Sequence, residues 1–204
     1  MINTIRKIKT SLRYIKLLFW PVNKKNFNHF GYDSGIEYPF FHAGSLKNIY
    51  IGNHVWINSF ARINTYAGNV VIKDSCAIGQ GLSIIAFNHN FSSWDDIPES
   101  KHWRQMNSCT PNTVTINEHC WIGANVTLLA GCNIGRGSLV AAGSICVNKE
   151  YPPYAILGGV PAKVIKFRLS LEDQIKHELN FFSKEERIPE EILRNNYKLY
   201  SNNK

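Results

Sequence analysis

Val114-Thr-Ile116-Asn-Glu-His-Cys120-Trp-Ile122-Gly-Ala-Asn-Val126-Thr-Leu128-Leu-Ala-Gly-Cys132-Asn-Ile134-Gly-Arg-Gly-Ser138-Leu-Val140-Ala-Ala-Gly-Ser144-Ile-Cys146 is the stretch from which the fold is read. Large apolar residues recur every six positions, at Ile116, Ile122, Leu128, Ile134, Val140 and Cys146. Two residues before each stands a compact, uncharged one: Val114, Cys120, Val126, Cys132, Ser138 and Ser144. Alternate residues of a strand share a face, so each pair can point into one core. A period of six matches neither an amphipathic helix nor a long hairpin strand; it calls for short strands joined by bends.

The rhythm continues upstream at Ile51, Ile57 and Ile63 and at Ile72, Ile78 and Ile84. Their compact partners are Ile49, Val55, Ala61, Val70, Cys76 and Leu82. Gly52, Gly79, Gly123 and Gly135 follow large aliphatic residues, where backbone freedom or a missing side chain is useful. Stacked coils would bury a continuous apolar column that no single repeat could bury alone. The expectation is therefore a mainly β solenoid interrupted by a short insertion, Asn64 to Val71, and a long one at residues 86–113.

Ile122-Gly-Ala-Asn-Val-Thr, Ile134-Gly-Arg-Gly-Ser-Leu and Gly158-Gly-Val-Pro-Ala-Lys-Val-Ile165 closely resemble the hexapeptide-repeat acyltransferase superfamily, in particular its sugar O-acetyltransferase and xenobiotic acetyltransferase branches. The resemblance implies a left-handed parallel β-helix with three hexapeptides per coil, a homotrimer with sites between subunits, and acetyl-CoA as co-substrate. General rules would not have supplied the handedness, since parallel crossovers are normally right-handed. It divides the chain into a basic N-terminal helix and lead-in (1–45), the β-helix (46–166) and a C-terminal helical segment (167–204).

The long insertion opens with Ile84-Ile-Ala-Phe-Asn-His-Asn-Phe91. Its His89 resembles the superfamily's catalytic histidine, which stands where a loop leaves the β-helix. A neutral imidazole could take the proton of an acceptor hydroxyl as the oxygen attacks a thioester. The competing role is a hydrogen bond that ties the loop down. Asp95 and Asp96 could orient the ring, and Phe87, Phe91, Trp94 and Trp103 could stack on a sugar or on one another. Asn58 resembles an acceptor-binding asparagine of the sugar O-acetyltransferases, or else it stabilises a turn.

For the coenzyme, Trp121, Ala124 and Ala142 match the coils along which family members lay pantetheine, small side chains leaving backbone amides open. Lys163 and Lys166 match residues that meet its phosphates, with Arg168 extending the cluster; each could instead be a solvated charge. Asn148 and Lys149 carry over with an offset of one position, because the segment before Pro152 is one residue longer than usual.

The formal net charge is +8, and residues 2–19 place Ile2, Ile5, Ile8, Leu12, Ile15 and Leu18 at helical spacing among Arg6, Lys7, Lys9, Arg13 and Lys16. Such a helix could rest on an anionic membrane or pack on protein. Its apolar stretch is too short for a signal-peptide core or a span. The five cysteines form no CxxC pair, which suits a reduced cytoplasmic setting, at the inner membrane face if the helix reaches lipid. Ser170-Leu-Glu-Asp173 and Ser183-Lys-Glu-Glu186 read as helix capping boxes, with the helices expected to cover the open end of the solenoid.

The reading expected is acetyl transfer to a hydroxyl of a sugar or surface polysaccharide. The alternatives are an amino-sugar N-acetyltransferase, a streptogramin-type acetyltransferase, a β-helix carbonic anhydrase and a non-catalytic scaffold. No metal is expected, since His29, His42, His54, His102, His119 and His177 show no ligand spacing, and no nucleic-acid motif accompanies the charge.

Overall fold

The computed structural model describes residues 22–89 and 109–201, together with Ile8, Ser11, Leu12 and Ile15 near the N-terminus. The chain forms a left-handed parallel β-helix of about five turns, triangular in section, followed by two helices.

Among the described residues, three parallel sheets make the faces. Face A stacks His29–Phe30, Ile49–Ile51, Asn69–Ile72, Thr113–Ile116 and Asn133–Ile134. Face B stacks Gly35–Ile36, Trp56–Ile57, Ala77–Ile78, Trp121–Ile122, Leu139–Val140 and Ala155–Gly159, closed by the antiparallel Ala162–Phe167. Face C stacks Phe41–Gly44, Arg62–Thr65, Ser83–Ile85, Thr127–Leu129 and Ile145–Cys146.

Both six-residue tracks are inside. Every large residue of the pattern from Ile51 to Cys146, and every compact partner from Ile49 to Ser144, is buried. The register sets like on like: Ile51 lies beside Ile72, Ile72 beside Ile116 and Ile116 beside Ile134. Cys76, Cys120, Cys132 and Cys146 are free thiols within this packing, and burial raises the pKa of Cys120.

The solenoid starts one coil earlier than the boundary at 46. Phe30, Ile36 and His42 pair with Ile51, Ile57 and Ile63 and continue the six-residue step. Aromatic and polar residues obscure this coil in the sequence: the compact track holds Asn28, Ser34 and Phe40. Ser34 compensates by donating to the carbonyl of Gly52 (2.8 Å) and accepting from the amide of Val55 (2.9 Å).

The glycines after the aliphatic residues are there for space. A Cβ on Gly123 would stand 2.6 Å from the amide nitrogen of Ala142, and one on Gly79 2.7 Å from that of Ala124. Left-handed backbone occurs instead at other edge residues, such as Gly81, Asn125 and Gly143.

Helix α1, Leu171–Phe181, begins with the predicted capping box: Ser170 Oγ accepts from the amide of Asp173 (3.1 Å) and donates to its carboxylate (2.7 Å). The second predicted box differs. Ser183 and Glu186 bond across a turn, and helix α2, Glu190–Ser201, starts after Pro189. α1 does not lie over the open end but bonds along the edge between faces A and B, whereas α2 stacks Tyr197 on Phe167 of the outermost strand.

Truncation of Ile122 to Ala should cost about 2–5 kcal/mol, because the column on both sides cannot collapse into the void. Equilibrium denaturant unfolding would measure this, and a loss under about 1 kcal/mol would contradict a tightly packed column.

Candidate functional site

Insertions in such a prism can leave only at its edges, and the edge between faces C and A carries both. Ala86 remains in register, its amide donating to Asn64 O (3.0 Å). The chain then leaves as a strand, Phe87–His89, antiparallel to Cys109–Pro111, with His89 opposite Cys109. It rejoins face A at Thr113, so that Ile116 follows Ile72 in the stack despite the 44-residue separation.

Gly68, in the short insertion, makes this exit possible. A Cβ there would fall 1.7 Å from Ala86 O and 2.2 Å from Asn112 O, against both limbs of the hairpin. Neighbouring Tyr66 is largely exposed and meets the ring of Phe87 edge-on at 6.2 Å. Sequence reading missed both residues; the signal was a glycine in the shorter of two insertions that occupy equivalent places in successive coils. Asp95, Asp96, Phe91, Trp94 and Trp103 lie outside the described residues, as does the side chain of His89.

Asn58 stands at the edge between B and C. Its Nδ2 donates to Ile78 O (2.9 Å), bonding one coil to the next. Asn117, also just after a large isoleucine, repeats this with Ile134 O (2.7 Å). The contact supports the turn-stabilising role for Asn58.

The residues expected to meet coenzyme fall into two groups. Trp121 is half exposed on face B, in a row with Leu139, Ile156 and Lys166. Ala124 and Ala142 follow one another along the B–C edge, where Gly143 N donates to Ala124 O (2.9 Å). Lys163 is exposed opposite Gly158, whose own position is beside Ala141. Asn148 and Lys149, by contrast, lie at the C–A edge. Asn148 packs beneath Gly131, and Lys149 Nζ is 5.7 Å from the Tyr151 ring centre. Arg168 leaves the lysine cluster and donates to the carbonyls of Gly137 and His119 (3.3 and 3.5 Å) at the A–B edge. One copy of the prism thus separates the Trp121–Ala124–Ala142 track from His89, Asn148 and Lys149 by the width of face C.

A third constellation was not foreseen. At the A–B edge, His119 Nδ1 and His177 Nε2 are 2.9 Å apart. Tyr154 donates its hydroxyl proton to Glu178 Oε1, so it accepts from His177 Nδ1 (2.9 Å), and His177 Nε2 in turn accepts from His119. Arg136 bonds Glu178 Oε2 (2.8 Å) and Glu118 (3.0 Å), and Lys73 pairs with Glu118 (3.1 Å). Burial and the bond to Glu178 push the Tyr154 pKa up. Burial opposes ionisation of Glu118, yet bonds from its own amide, Arg136 and Lys73 prevail and lower its pKa. Burial lowers both histidines; His119 adds repulsion to His177, and Arg136 opposes a charge on either. These residues dock α1, and His119, Tyr154 and His177 border a cleft of about 390 Å³. Among the described residues no three His, Cys, Asp or Glu side chains converge as a metal site.

Residues 113–148 match the family described as bacterial transferase hexapeptide (six repeats). Galactoside O-acetyltransferase of Escherichia coli K12 is 30% identical over 156 residues, covering 76% of this chain and 69% of that protein. The chain belongs to the hexapeptide-repeat acetyltransferases. A second E. coli protein, provisionally named as a lipopolysaccharide biosynthesis O-acetyl transferase, is 30% identical over 58% of this chain and 60% of its own length. This acyltransferase therefore spans between 60% and 69% of those two relatives. Among solved structures, a hexapeptide-repeat acetyltransferase from Vibrio cholerae, complexed with acetyl coenzyme A, superposes with a TM-score of 0.63 at 26% identity, covering 76% of this chain and 83% of that one.

The histidine pair makes stability depend on pH. Both folded pKa values lie below the unfolded value of about 6.5, so the unfolded chain binds more protons once pH drops beneath it. Stability is full above about pH 6.5 and declines as pH falls from there toward the folded values. Thermal melts between pH 7.5 and 5 should show this decline, and His177→Gln should flatten it. An unchanged slope would remove the pair from the account.

Proposed function

We propose that this acetyl-CoA-dependent acyltransferase transfers acetyl to a hydroxyl of a sugar, as a free glycan unit or as part of a surface or capsular polysaccharide precursor, with His89 as general base. The observation that carries the reading is the position of His89 on the hairpin that leaves the solenoid at the C–A edge, where Gly68 opens the exit. The galactoside and lipopolysaccharide names of the two E. coli relatives support a sugar acceptor.

The imidazole takes the acceptor proton as the hydroxyl oxygen bonds to the thioester carbonyl carbon. The tetrahedral oxyanion collapses, the C–S bond breaks, and the histidine returns its proton to the departing thiolate. The products are the acetyl ester and free coenzyme A, with no acyl-enzyme. Trp121, Ala124 and Ala142 would line pantetheine, and Lys163 and Lys166 its phosphates, with Asn148 and Lys149 contributing from the other edge. Asn58 would act on the acceptor through its carbonyl oxygen and its second amide hydrogen, the first being donated to Ile78 O.

Because these groups occupy two edges of one prism, a single pocket needs a neighbouring copy, which supports a homotrimer with shared sites. Thiol release from acetyl-CoA should require a sugar acceptor and fall about 10²–10⁴-fold in His89→Ala, with coenzyme affinity kept. Retained turnover would assign the base elsewhere. Acceptance of amino sugars or antibiotics alone would move the reading to N-acetyl or drug acetyl transfer, and absence of both release and coenzyme binding would favour a scaffold. Mixing His89→Ala with Ala142→Trp protomers should recover part of the activity if sites are shared; no recovery would place each site within one subunit.

A further inference from the structure

The charge of this chain is segregated. Seven cations, Arg6, Lys7, Lys9, Arg13, Lys16, Lys24 and Lys25, precede the first acidic residue, Asp33, and the remainder of the +8 chain is close to balanced. A soluble acyltransferase core has no need to collect its excess charge in one terminal segment. Such a block attracts an anionic surface.

The structure adds what charge cannot supply. Ile8, Ser11, Leu12 and Ile15 are helical, and Ile8, Leu12 and Ile15 are 54%, 58% and 50% exposed. Their spacing places them within an arc of about 60° on a helix turning 100° per residue. The face therefore presents three large aliphatic side chains to solvent, although the solenoid buries nearly every other isoleucine of its repeat. In the sequence Arg6, Lys7, Lys9, Arg13 and Lys16 are interleaved with these three residues.

Exposed aliphatic residues in a segment whose charges are all positive suit one kind of occupant. Nucleic acid would take up the charges and leave the aliphatic residues in water. A second copy would bring seven like charges against seven. An anionic bilayer satisfies both parts, accepting the stripe below the headgroups and the lysines and arginines among the phosphates. Among the described residues no helix is long and apolar enough to cross a membrane, and surface binding does not require one.

We infer that the N-terminal helix lies in the interface of an anionic lipid bilayer and holds the acyltransferase at a membrane surface. This inference does not depend on the acceptor or on His89.

Cosedimentation of the full chain with vesicles tests it, using phosphatidylcholine alone and phosphatidylcholine with 30 mol% phosphatidylglycerol. Binding should be confined to the anionic vesicles and weaken in 0.5 M salt. Leu12→Asp keeps every cation and should lower the partition by about tenfold or more, leaving thiol release in solution unchanged. Equal binding to neutral vesicles, or none to anionic ones, would overturn the inference. So would binding indifferent to Leu12→Asp, which would reduce the contact to unspecific charge. Should Leu12→Asp instead dissociate the oligomer in light scattering, the stripe belongs to a second copy and the inference fails.

Discussion

Each strand of the solenoid hydrogen-bonds to its counterpart one coil away, which forces every inward side chain to sit on another inward side chain at the spacing of a β-ladder, about 4.8 Å. Ile51, Ile72, Ile116 and Ile134 occupy one such column, and Ile57, Ile78, Ile122 and Val140 the next. A slip of one residue would turn a column of aliphatic groups toward water, so the register tolerates no insertion within a strand. Extra residues must leave at the edges. That restriction places the hairpin of His89 at the same edge as the Tyr66–Gly68 turn, in adjoining coils.

The close stacking also assigns roles to residues that resemble one another in sequence. Gly79 and Gly123 provide clearance between coils, whereas Gly81 and Gly143 provide left-handed turns. Asn58 and Asn117 bond to carbonyls of the adjoining coil at two different edges. Edge residues are consequently divided between holding the ladder together and facing whatever binds outside. Ala142, at the B–C edge, is exposed.

At the A–B edge, side chains from three coils meet one helix. His119, Arg136 and Tyr154 each reach α1, through His177 or Glu178, and Arg136 lies 3.5 Å from the Phe182 ring centre. The carboxylate of Glu178 is buried and accepts from Arg136, Tyr154 and the amide of Ile188, so the helix is held by a saturated polar network as well as by aromatic contact. Arg168 joins this edge because its strand ends there, which draws it away from Lys163 and Lys166.

The sequence by itself determined the solenoid from residue 46 onward, because inward burial repeats every six residues and each repeat carries its own signal. It also marked the exit of the long loop at His89, the free core cysteines and the first helix cap. It did not reveal the first coil, where only Ile36 is of the usual type and Phe30, His42, Asn28, Ser34 and Phe40 fill the other inward places. Only the tertiary structure decided the partnership of His119 with His177, 58 residues apart, the clearance at Gly68, the bond that engages Asn58, and the division of the residues proposed to meet coenzyme between two edges. Periodicity specifies which way a side chain points; which distant residue it meets depends on how coils, loops and helices close against one another in space.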